Sequence, residues 1–277
     1  MSTNLVTTEW LEKNLNRQDL VVLDATMGSI SGDNSDLDNR VYIPTSQHFN
    51  IKHDFSNSCS DLPCTLPTYD VFCQKVRKLG IRKNSLVVVY DAKGIYSSPR
   101  AWWLLTLMGH KNVFVLDGGL PKWVQENRPV TISACESKSN VKWEGHLLSE
   151  LAVDKDKVAM ALGEANIVDA RSHERFLGAV PEPRRGIRSG HIPSSKNLPF
   201  ERLLSRGNYL PKEVLQARFD ALGINMSAPT YFYCGSGVTA CIVLLAALEA
   251  GMKQLAIYDG SWSEWGADLG LGIEIGA

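Results

Sequence analysis

The sequence lacks a long hydrophobic run and a marked excess of charge of either sign. The apolar run from Val238 to Ala250 is shorter than the roughly 20 residues that a membrane-spanning helix needs. The first residues lack the basic and apolar pattern of a secretory signal, so we expect a cytoplasmic protein. A net charge of −1 gives no electrostatic basis for binding nucleic acid or an anionic membrane, and we expect neither partner.

The spacing of the cysteines argues against a disulfide-stabilised protein and against a zinc-binding one. The six cysteines follow no disulfide-framework spacing, which favours free thiols in a reducing compartment. Cys59, Cys64 and Cys73 lack close histidine partners and a zinc-like spacing. The sequence therefore predicts no metal site, and it implies no organic cofactor.

The chain contains one unit twice. Three landmarks recur in the same order: an apolar strand ending in Asp-Ala, an Ile-Pro pair, and a strand that runs into Asp-Gly with a Trp shortly after. The landmarks lie at Asp24, Ile43 and Asp117 in the first half and at Asp169, Ile192 and Asp259 in the second. Their spacings agree to within a few residues, as loop variation permits. A chain of 277 residues that is 44% hydrophobic can form two ordinary domains.

Each copy alternates short β-branched runs with helical segments. The predicted strands include 86–90, 113–116, 230–233 and 255–258, and the predicted helices include 100–108 and 238–250. This alternation predicts an α/β fold whose mainly parallel sheets are flanked by helices. We expect an N-terminal domain over 1–134, a polar linker over 135–147, a C-terminal domain over 148–277, and a cleft between the two domains.

The segment 231–240, Tyr-Phe-Tyr-Cys-Gly-Ser-Gly-Val-Thr-Ala, points to a reactive cysteine. A strand delivers Cys234 into a loop in which Gly235 and Gly237 let the backbone curl with its N–H groups inward. The apolar helix that follows is capped by Gly251, and the positive end of its dipole favours a thiolate. The thiolate is the nucleophilic form, so Cys234 is a candidate nucleophile. The alternative for a cysteine in an apolar stretch is a small buried hydrophobe.

The first copy lacks this nucleophile. Overlaying the halves places Tyr90-Asp91 where Tyr233-Cys234 lies, so a carboxylate replaces the thiol. We interpret Asp91 as a relic that caps the following turn, and the first copy as a scaffold. Cys241 lies about two helical turns beyond Cys234, too far for a disulfide, and is assigned to the core.

Two tandem α/β units, an inactive first copy and a Cys-Gly-Ser-Gly-Val-Thr loop in the second resemble the rhodanese-like sulfurtransferases. The loop is similar to that of the branch that acts on 3-mercaptopyruvate. The supporting segments are 98–103 (Ser-Pro-Arg-Ala-Trp-Trp), 181–184 (Pro-Glu-Pro-Arg), 189–193 (Ser-Gly-His-Ile-Pro) and 258–265 (Tyr-Asp-Gly-Ser-Trp-Ser-Glu-Trp). The resemblance covers nearly the whole chain, and it implies two tandem rhodanese-like domains with the active site in the interdomain cleft.

The resemblance also implies a chemistry. The Cys234 thiolate would attack the sulfur of 3-mercaptopyruvate, pyruvate would leave as its enolate, and the persulfide would pass its outer sulfur to cyanide or to a thiol acceptor such as thioredoxin or a small thiol. Ser236 would polarise the donor or move a proton, and Arg175 and Arg184 match the family's two substrate-binding arginines. The loop residues expected to cradle the sulfur anion are Gly235, Gly237, Val238 and Thr239. Without the resemblance, both arginines would be assigned to the surface.

One position departs from the family's pattern. A histidine often precedes the Ile-Pro pair of the first domain, where it is proposed to work with the loop serine and an aspartate. This chain has Tyr42 there, so that relay cannot be transferred, although Asp33, Asp36 and Asp38 are near in sequence. We expect His48 and His53 at the surface, and His191 in a structural role at its turn. Arg185 and Arg188 lie close to the motif arginines in sequence and could contribute to the electrostatic field, but they do not match the two substrate-binding positions.

Three alternatives share the fold or the loop. A Cys-loop phosphatase needs Cys-x5-Arg, and this chain has Ala240 at the arginine position. A thiosulfate:cyanide sulfurtransferase uses the same nucleophile, but such relatives carry basic residues where this chain has Gly235 and Ser236. A non-catalytic sulfur carrier is disfavoured by the intact loop together with Arg175 and Arg184.

Overall fold

The computed structural model describes residues 3–28, 40–136 and 139–276. Within these ranges the chain forms two compact units. The first comprises Met1–Ser58, Leu66–Leu148 and Arg206–Tyr209, and the second comprises Cys59–Thr65, Ser149–Ser205 and Leu210–Ala277. The limits 1–134, 135–147 and 148–277 stay predictions from the sequence.

The first unit is built on a parallel five-stranded sheet. Its strands are β1 (Leu5–Val6), β2 (Leu20–Asp24), β3 (Gln47–His48), β4 (Leu86–Tyr90) and β5 (Val113–Leu116). They lie in the order β1-β5-β4-β2-β3, and each neighbouring pair is parallel. The helices are α1 (Thr8–Asn14), α2 (Tyr69–Val76), α3 (Ser98–Leu107) and α4 (Gly119–Gln125), with a 3₁₀ turn at Arg77–Leu79.

The later part of the chain repeats this sheet. Its strands are β6 (Ala152–Val153), β7 (Asn166–Asp169), β8 (Lys196–Asn197), β9 (Leu204–Ser205), β10 (Asn208–Tyr209), β11 (Thr230–Tyr233) and β12 (Leu255–Tyr258). The parallel sheet of the second unit has the order β6-β12-β11-β7-β8. The helices are α5 (Lys155–Met160), α6 (His173–Phe176), α7 (Lys212–Asp220), α8 (Ala240–Glu249) and α9 (Ser261–Trp265), with 3₁₀ turns at Ser149–Leu151 and Phe200–Leu203.

The two sheets have the same topology, which confirms the internal duplication and the α/β fold predicted from the sequence. In each sheet the strand that precedes the loop of interest, β4 or β11, lies at the centre. Val87, Val88 and Val89 of β4 are fully buried, because helices cover both faces of a parallel sheet. In the described part of the chain, no helix has the length and apolar character needed to cross a membrane.

The helix after Cys234 is shorter at both ends than predicted. The sequence predicted 238–250, whereas α8 spans Ala240–Glu249. Val238 and Thr239 belong instead to a tight turn, because their carbonyls accept hydrogen bonds of 3.2 and 3.1 Å from residues three positions later. Gly251 ends the helix as predicted, at a φ of +97°, a conformation that glycine adopts without strain.

The helix after β4 also differs from its prediction. α3 spans Ser98–Leu107 rather than 100–108. It begins earlier because Pro99 fits the first turn of a helix, where no backbone N–H is needed. Its end repeats the hydrogen-bond pattern of α8, with Gly109 at a φ of +91°.

A buried tyrosine ties each central strand to the Ile-Pro turn. The Tyr233 hydroxyl accepts the Ile192 N–H at 3.2 Å and forms a 3.1 Å hydrogen bond with the Ser195 hydroxyl. The first unit repeats the arrangement with Tyr90, Ile43 and Ser46. Burial raises the pKa of both tyrosines, so their hydroxyls stay protonated near neutral pH.

Removing the Tyr233 hydroxyl is expected to destabilise the fold. Tyr233→Phe should lower the free energy of unfolding by about 1–3 kcal/mol, because the Ile192 N–H would lose its buried acceptor. Urea unfolding measures this change. Tyr231→Phe is the matched control, since the Tyr231 hydroxyl forms no hydrogen bond with any residue that the structure describes. Equal losses in the two variants would contradict the expectation.

Candidate active site

Cys234 lies at the carboxyl end of β11, in the centre of the second unit's sheet. It is 2% exposed, and residues 234–239 connect it to α8. Open α/β sheets bind their ligands at the carboxyl ends of the strands. The strand therefore delivers the thiol to the edge of the sheet where chemistry is expected.

The backbone of Cys234 is fixed by the start of α9. Ser261 Oγ accepts the Cys234 N–H at 3.3 Å and donates to the Tyr258 carbonyl at 2.8 Å. The Trp262 N–H donates to the Cys234 carbonyl at 2.9 Å. Ser261 has a φ of +51°, whereas the first unit has Gly119 at the equivalent place, with a φ of +52°. The two hydrogen bonds of its hydroxyl help to hold Ser261 in this strained conformation.

The loop after Cys234 presents backbone donors. Gly237 has a φ of +74° and lets the chain turn. Four backbone N–H groups of this loop form no hydrogen bond with a described residue: those of Gly235, Ser236, Val238 and Thr239. Successive N–H groups in such a turn bind anions, so the loop is suited to a thiolate or persulfide on Cys234.

The corresponding loop of the first unit holds a carboxylate. Asp91 is fully buried, and its Oδ2 accepts the N–H groups of Tyr96, Ser97 and Ser98 at 2.9–3.0 Å and the Ser98 hydroxyl at 2.7 Å. Its Oδ1 accepts the Lys93 N–H at 2.9 Å. Burial raises the pKa of the Asp91 carboxyl, and these donors oppose the rise. Asp91 therefore caps the turn that leads into α3, as predicted.

Arg175 and Arg184 lie beside the Cys234 loop. A Cβ atom on Gly235 would lie 3.1 Å from Arg175 Nη2 and 3.8 Å from Arg184 Nη1, so both guanidiniums flank the first loop residue after Cys234. Arg184 Nη1 also donates to Ser263 Oγ at 3.3 Å, and Ser263 in turn donates to the Gly235 carbonyl. The fold thus brings together the cysteine and the two arginines that the sequence singled out.

A buried carboxylate, Glu182, holds Arg175. It accepts Arg175 Nε at 3.0 Å and Nη2 at 2.5 Å, and it also accepts Arg171 Nη1 at 2.9 Å. Arg171 is itself buried, forms a fork with Asp169 at 2.6–3.1 Å, and lies 4.4 Å from the centroid of Trp262. Burial disfavours the charge of Arg171, but the two carboxylates outweigh this effect and raise its pKa.

Sequence reasoning missed four residues of this arrangement: Arg171, Glu182, Ser261 and Ser263. Three of them had a signal, because Glu182 stands in the 181–184 segment with Arg184, and the two serines stand in the 258–265 segment. Arg171 had none, since an arginine after a strand is expected at the surface.

The remaining loop side chains differ in exposure. Ser236 is 8% exposed, and its hydroxyl forms no hydrogen bond with a described residue. Val238 is buried and Thr239 is half-buried. Arg185 is exposed, whereas Arg188 donates to four backbone carbonyls and has a structural role.

Tyr42, which stands where the family often has histidine, belongs to the first unit. Its ring packs edge-on against His48, with 5.4 Å between centroids. His48 is exposed, as predicted, and so is His53. The aspartates that lie near Tyr42 in sequence are outside the described residues: Asp33, Asp36 and Asp38.

His191 and Cys241 are structural, as predicted. His191 stacks on Phe176 at 3.7 Å and its Nδ1 lies 2.8 Å from the Phe176 carbonyl. Cys241 is fully buried, and its thiol donates to the Gly237 carbonyl at 3.3 Å. Across the described ranges, no group of three or more His, Cys, Asp and Glu side chains is placed to hold a metal ion.

Comparison with known families identifies the class of protein that this fold and loop define. The Rhodanese-like domain family matches residues 7–126 and again residues 153–268. The chain therefore belongs to the rhodanese-like family, with two copies of the domain.

Individual relatives are similar over nearly the whole chain. Over 99% of its length, the chain is 37% identical to the mitochondrial thiosulfate/3-mercaptopyruvate sulfurtransferase 1 of Arabidopsis thaliana and covers 78% of that protein. It is 34% identical to the 3-mercaptopyruvate sulfurtransferase of Escherichia coli K12, with 99% of each chain covered. The crystal structure of SseA from Escherichia coli has a TM-score of 0.84 and 32% identity, covering 95% of this chain and 100% of that one.

Substitutions at Ser261 test how much its hydrogen bonds to Cys234 and Tyr258 stabilise the fold. Ser261→Ala is expected to lower the free energy of unfolding by about 1–3 kcal/mol, because alanine loses both hydrogen bonds and keeps a side chain at a positive φ. Ser261→Gly should lose less, since glycine adopts this φ freely, as Gly119 does. Urea unfolding of both variants gives the comparison, and a larger loss for glycine than for alanine would contradict this account.

Proposed function

We propose that the chain is a sulfurtransferase that takes sulfur from 3-mercaptopyruvate as a persulfide on Cys234. The observation that supports this most directly is the position of two guanidinium groups, Arg175 and Arg184, beside the donor-rich loop of Cys234. A sulfur nucleophile needs a stabilised anion, and an α-keto acid needs paired cationic donors. The second unit supplies both, and the names of the full-length relatives agree with this reaction.

The first step forms the persulfide. The Cys234 thiolate attacks the thiol sulfur of 3-mercaptopyruvate, a sulfur–sulfur bond forms, and the carbon–sulfur bond breaks with its electron pair going to carbon. Pyruvate leaves as its enolate and takes up the proton carried by the transferred sulfur. The persulfide anion that remains would be stabilised by the loop N–H groups of Gly235, Ser236, Val238 and Thr239, while Gly237 supplies the turn.

The arginines and Ser236 have separate roles in this proposal. Arg175 and Arg184 bind the carboxylate and the neighbouring carbonyl oxygen of the donor, since a guanidinium offers parallel N–H groups to such a pair. The Ser236 hydroxyl polarises the donor or carries the proton to the enolate. In the second step an acceptor thiolate attacks the outer sulfur and releases the Cys234 thiolate.

Thiosulfate is a second candidate donor. The names of both Arabidopsis relatives include thiosulfate, and the same Cys234 persulfide would form from it with release of sulfite. Gly235 has no side chain and Ser236 has a neutral one, so the loop lacks a basic group for the sulfonate end of thiosulfate, which favours 3-mercaptopyruvate. The acceptor stays a prediction, whether it is a thiol such as thioredoxin or a small thiol, or cyanide. A cytoplasmic location also stays a prediction.

Removing the thiol tests the nucleophile. Cys234→Ser is expected to abolish sulfur transfer from 3-mercaptopyruvate to a dithiol, because a serine hydroxyl cannot form the persulfide. Sulfide release and the mass gain of one sulfur atom on the Cys234 peptide measure the two steps. Cys241→Ser is the control and should keep its activity. Activity that survives in Cys234→Ser would overturn the proposal, and a preference for thiosulfate would change only the donor.

Replacing the guanidinium of Arg175 by an ammonium group tests whether this residue recognises the donor. Arg175→Lys is expected to lower kcat/KM for 3-mercaptopyruvate by roughly 10–100-fold, since lysine cannot give two parallel N–H groups. Transfer from enzyme already loaded with persulfide should be unchanged, because the acceptor step does not use the donor carboxylate. Arg185→Lys, at an exposed neighbour, is the control. Equal losses in both half-reactions would contradict the assignment.

A further inference from the structure

Glu182 has a buried charge that the sulfur-transfer steps do not use. Its side chain is 4% exposed and it lies between Arg171 and Arg175. Burying a carboxylate costs desolvation energy, which the two neighbouring guanidinium groups offset.

The charges around the Cys234 loop leave one guanidinium without a carboxylate. The Asp169 carboxylate accepts hydrogen bonds from Nε and Nη2 of Arg171. The Glu182 carboxylate accepts hydrogen bonds from Nε and Nη2 of Arg175. Arg184 bonds to the Ser263 hydroxyl and forms no ion pair with a described residue. These five side chains carry one net positive charge, which the Cys234 thiolate of the reactive enzyme balances. Loss of the Glu182 carboxylate would therefore leave the site with one net positive charge.

Glu182 also fixes how Arg175 can meet a donor. Its two oxygens occupy the Nε–Nη2 edge, and Nη1 of Arg175 forms no hydrogen bond with a described residue. A held guanidinium offers its remaining N–H groups in one plane, as a planar carboxylate requires.

We propose that Glu182 is a specificity-determining residue that tunes the donor site to a monocarboxylate and against a dianion. This inference rests on the proposed function and deepens it. Glu182 acts through Arg175 in two ways: it cancels one positive charge, and it fixes the plane of the guanidinium. Loss of the carboxylate adds a net positive charge, and because Coulomb energy scales with ligand charge, a dianion gains twice what a monoanion gains.

The test compares a dianionic with a monoanionic donor. Glu182→Gln keeps the size of the side chain and one acceptor oxygen while removing the charge. The ratio of kcat/KM for thiosulfate to kcat/KM for 3-mercaptopyruvate is expected to rise roughly tenfold. Glu182→Asp, which keeps the charge, should return the ratio towards the wild-type value. Glu174→Gln removes an exposed charge next to Arg175 in sequence and should leave the ratio unchanged.

A second measurement does not need turnover. Sulfate and pyruvate are inert anions of charge −2 and −1, and each is tested for protection of Cys234 against iodoacetamide, read by mass spectrometry of the Cys234 peptide. In Glu182→Gln the half-protecting concentration should fall for sulfate relative to pyruvate. If the wild-type protein failed to use 3-mercaptopyruvate, the proposed function would fail, but this protection ratio would still decide the role of Glu182.

Three results would overturn the inference. One is a loss of both donor activities by the same factor in Glu182→Gln, with both ratios unchanged, which would mean a purely structural role. Another is an equal rise of the ratios in Glu174→Gln, which would mean a general effect of net charge. The third is an absence of protection by either anion in the wild-type protein.

Discussion

The buried ion pair between Asp169 and Arg171 underlies the arrangement of the whole site. Asp169 ends β7, beside the strand that carries the cysteine, and Arg171 lies against the ring of Trp262. Removing either partner would strand a charge away from water, which costs several kcal/mol. Because Arg171 also binds Glu182, and Glu182 binds Arg175, the orientation of Arg175 beside the Cys234 loop depends on this pair at the end of the sheet.

The two copies use the same framework with different partners. In the first unit Asp24 ends β2, the counterpart of β7, and its carboxylate pairs with Arg40 at 2.6 Å and with the Thr26 N–H at 3.0 Å. In the second unit the partner is Arg171, two residues after its aspartate. The strand-end carboxylate and the buried tyrosine are thus common to both, whereas the chemistry at the centre of each loop differs. The two copies thus share the strand-end aspartate and the buried tyrosine, and they differ in the residue that begins the central loop, which is Asp91 in the first unit and Cys234 in the second.

The strands could be predicted from the sequence, and the buried charges could not. Predicted strands 86–90, 113–116, 230–233 and 255–258 match β4, β5, β11 and β12, because β-branched and aromatic runs bounded by turns have few alternatives. Helix limits were less accurate: 238–250 was too long, since the glycine-containing loop and its tight turn take the first residues. Cys234, Arg175 and Arg184 were singled out through motifs, and the fold brings them together. Arg171 was not, because burial of an arginine depends on partners that lie apart in sequence.

The Asp91 loop has a consequence for how small anions interact with the protein. Its backbone donors are bound to a carboxylate of the same chain, and a tethered ligand acts at a far higher effective concentration than any dissolved competitor. Sulfate, sulfite or phosphate in solution therefore cannot displace it at ordinary concentrations. The first of the two duplicated turns has in this way become self-saturated, whereas the N–H groups of Gly235, Ser236, Val238 and Thr239 in the second form no hydrogen bond with a described residue.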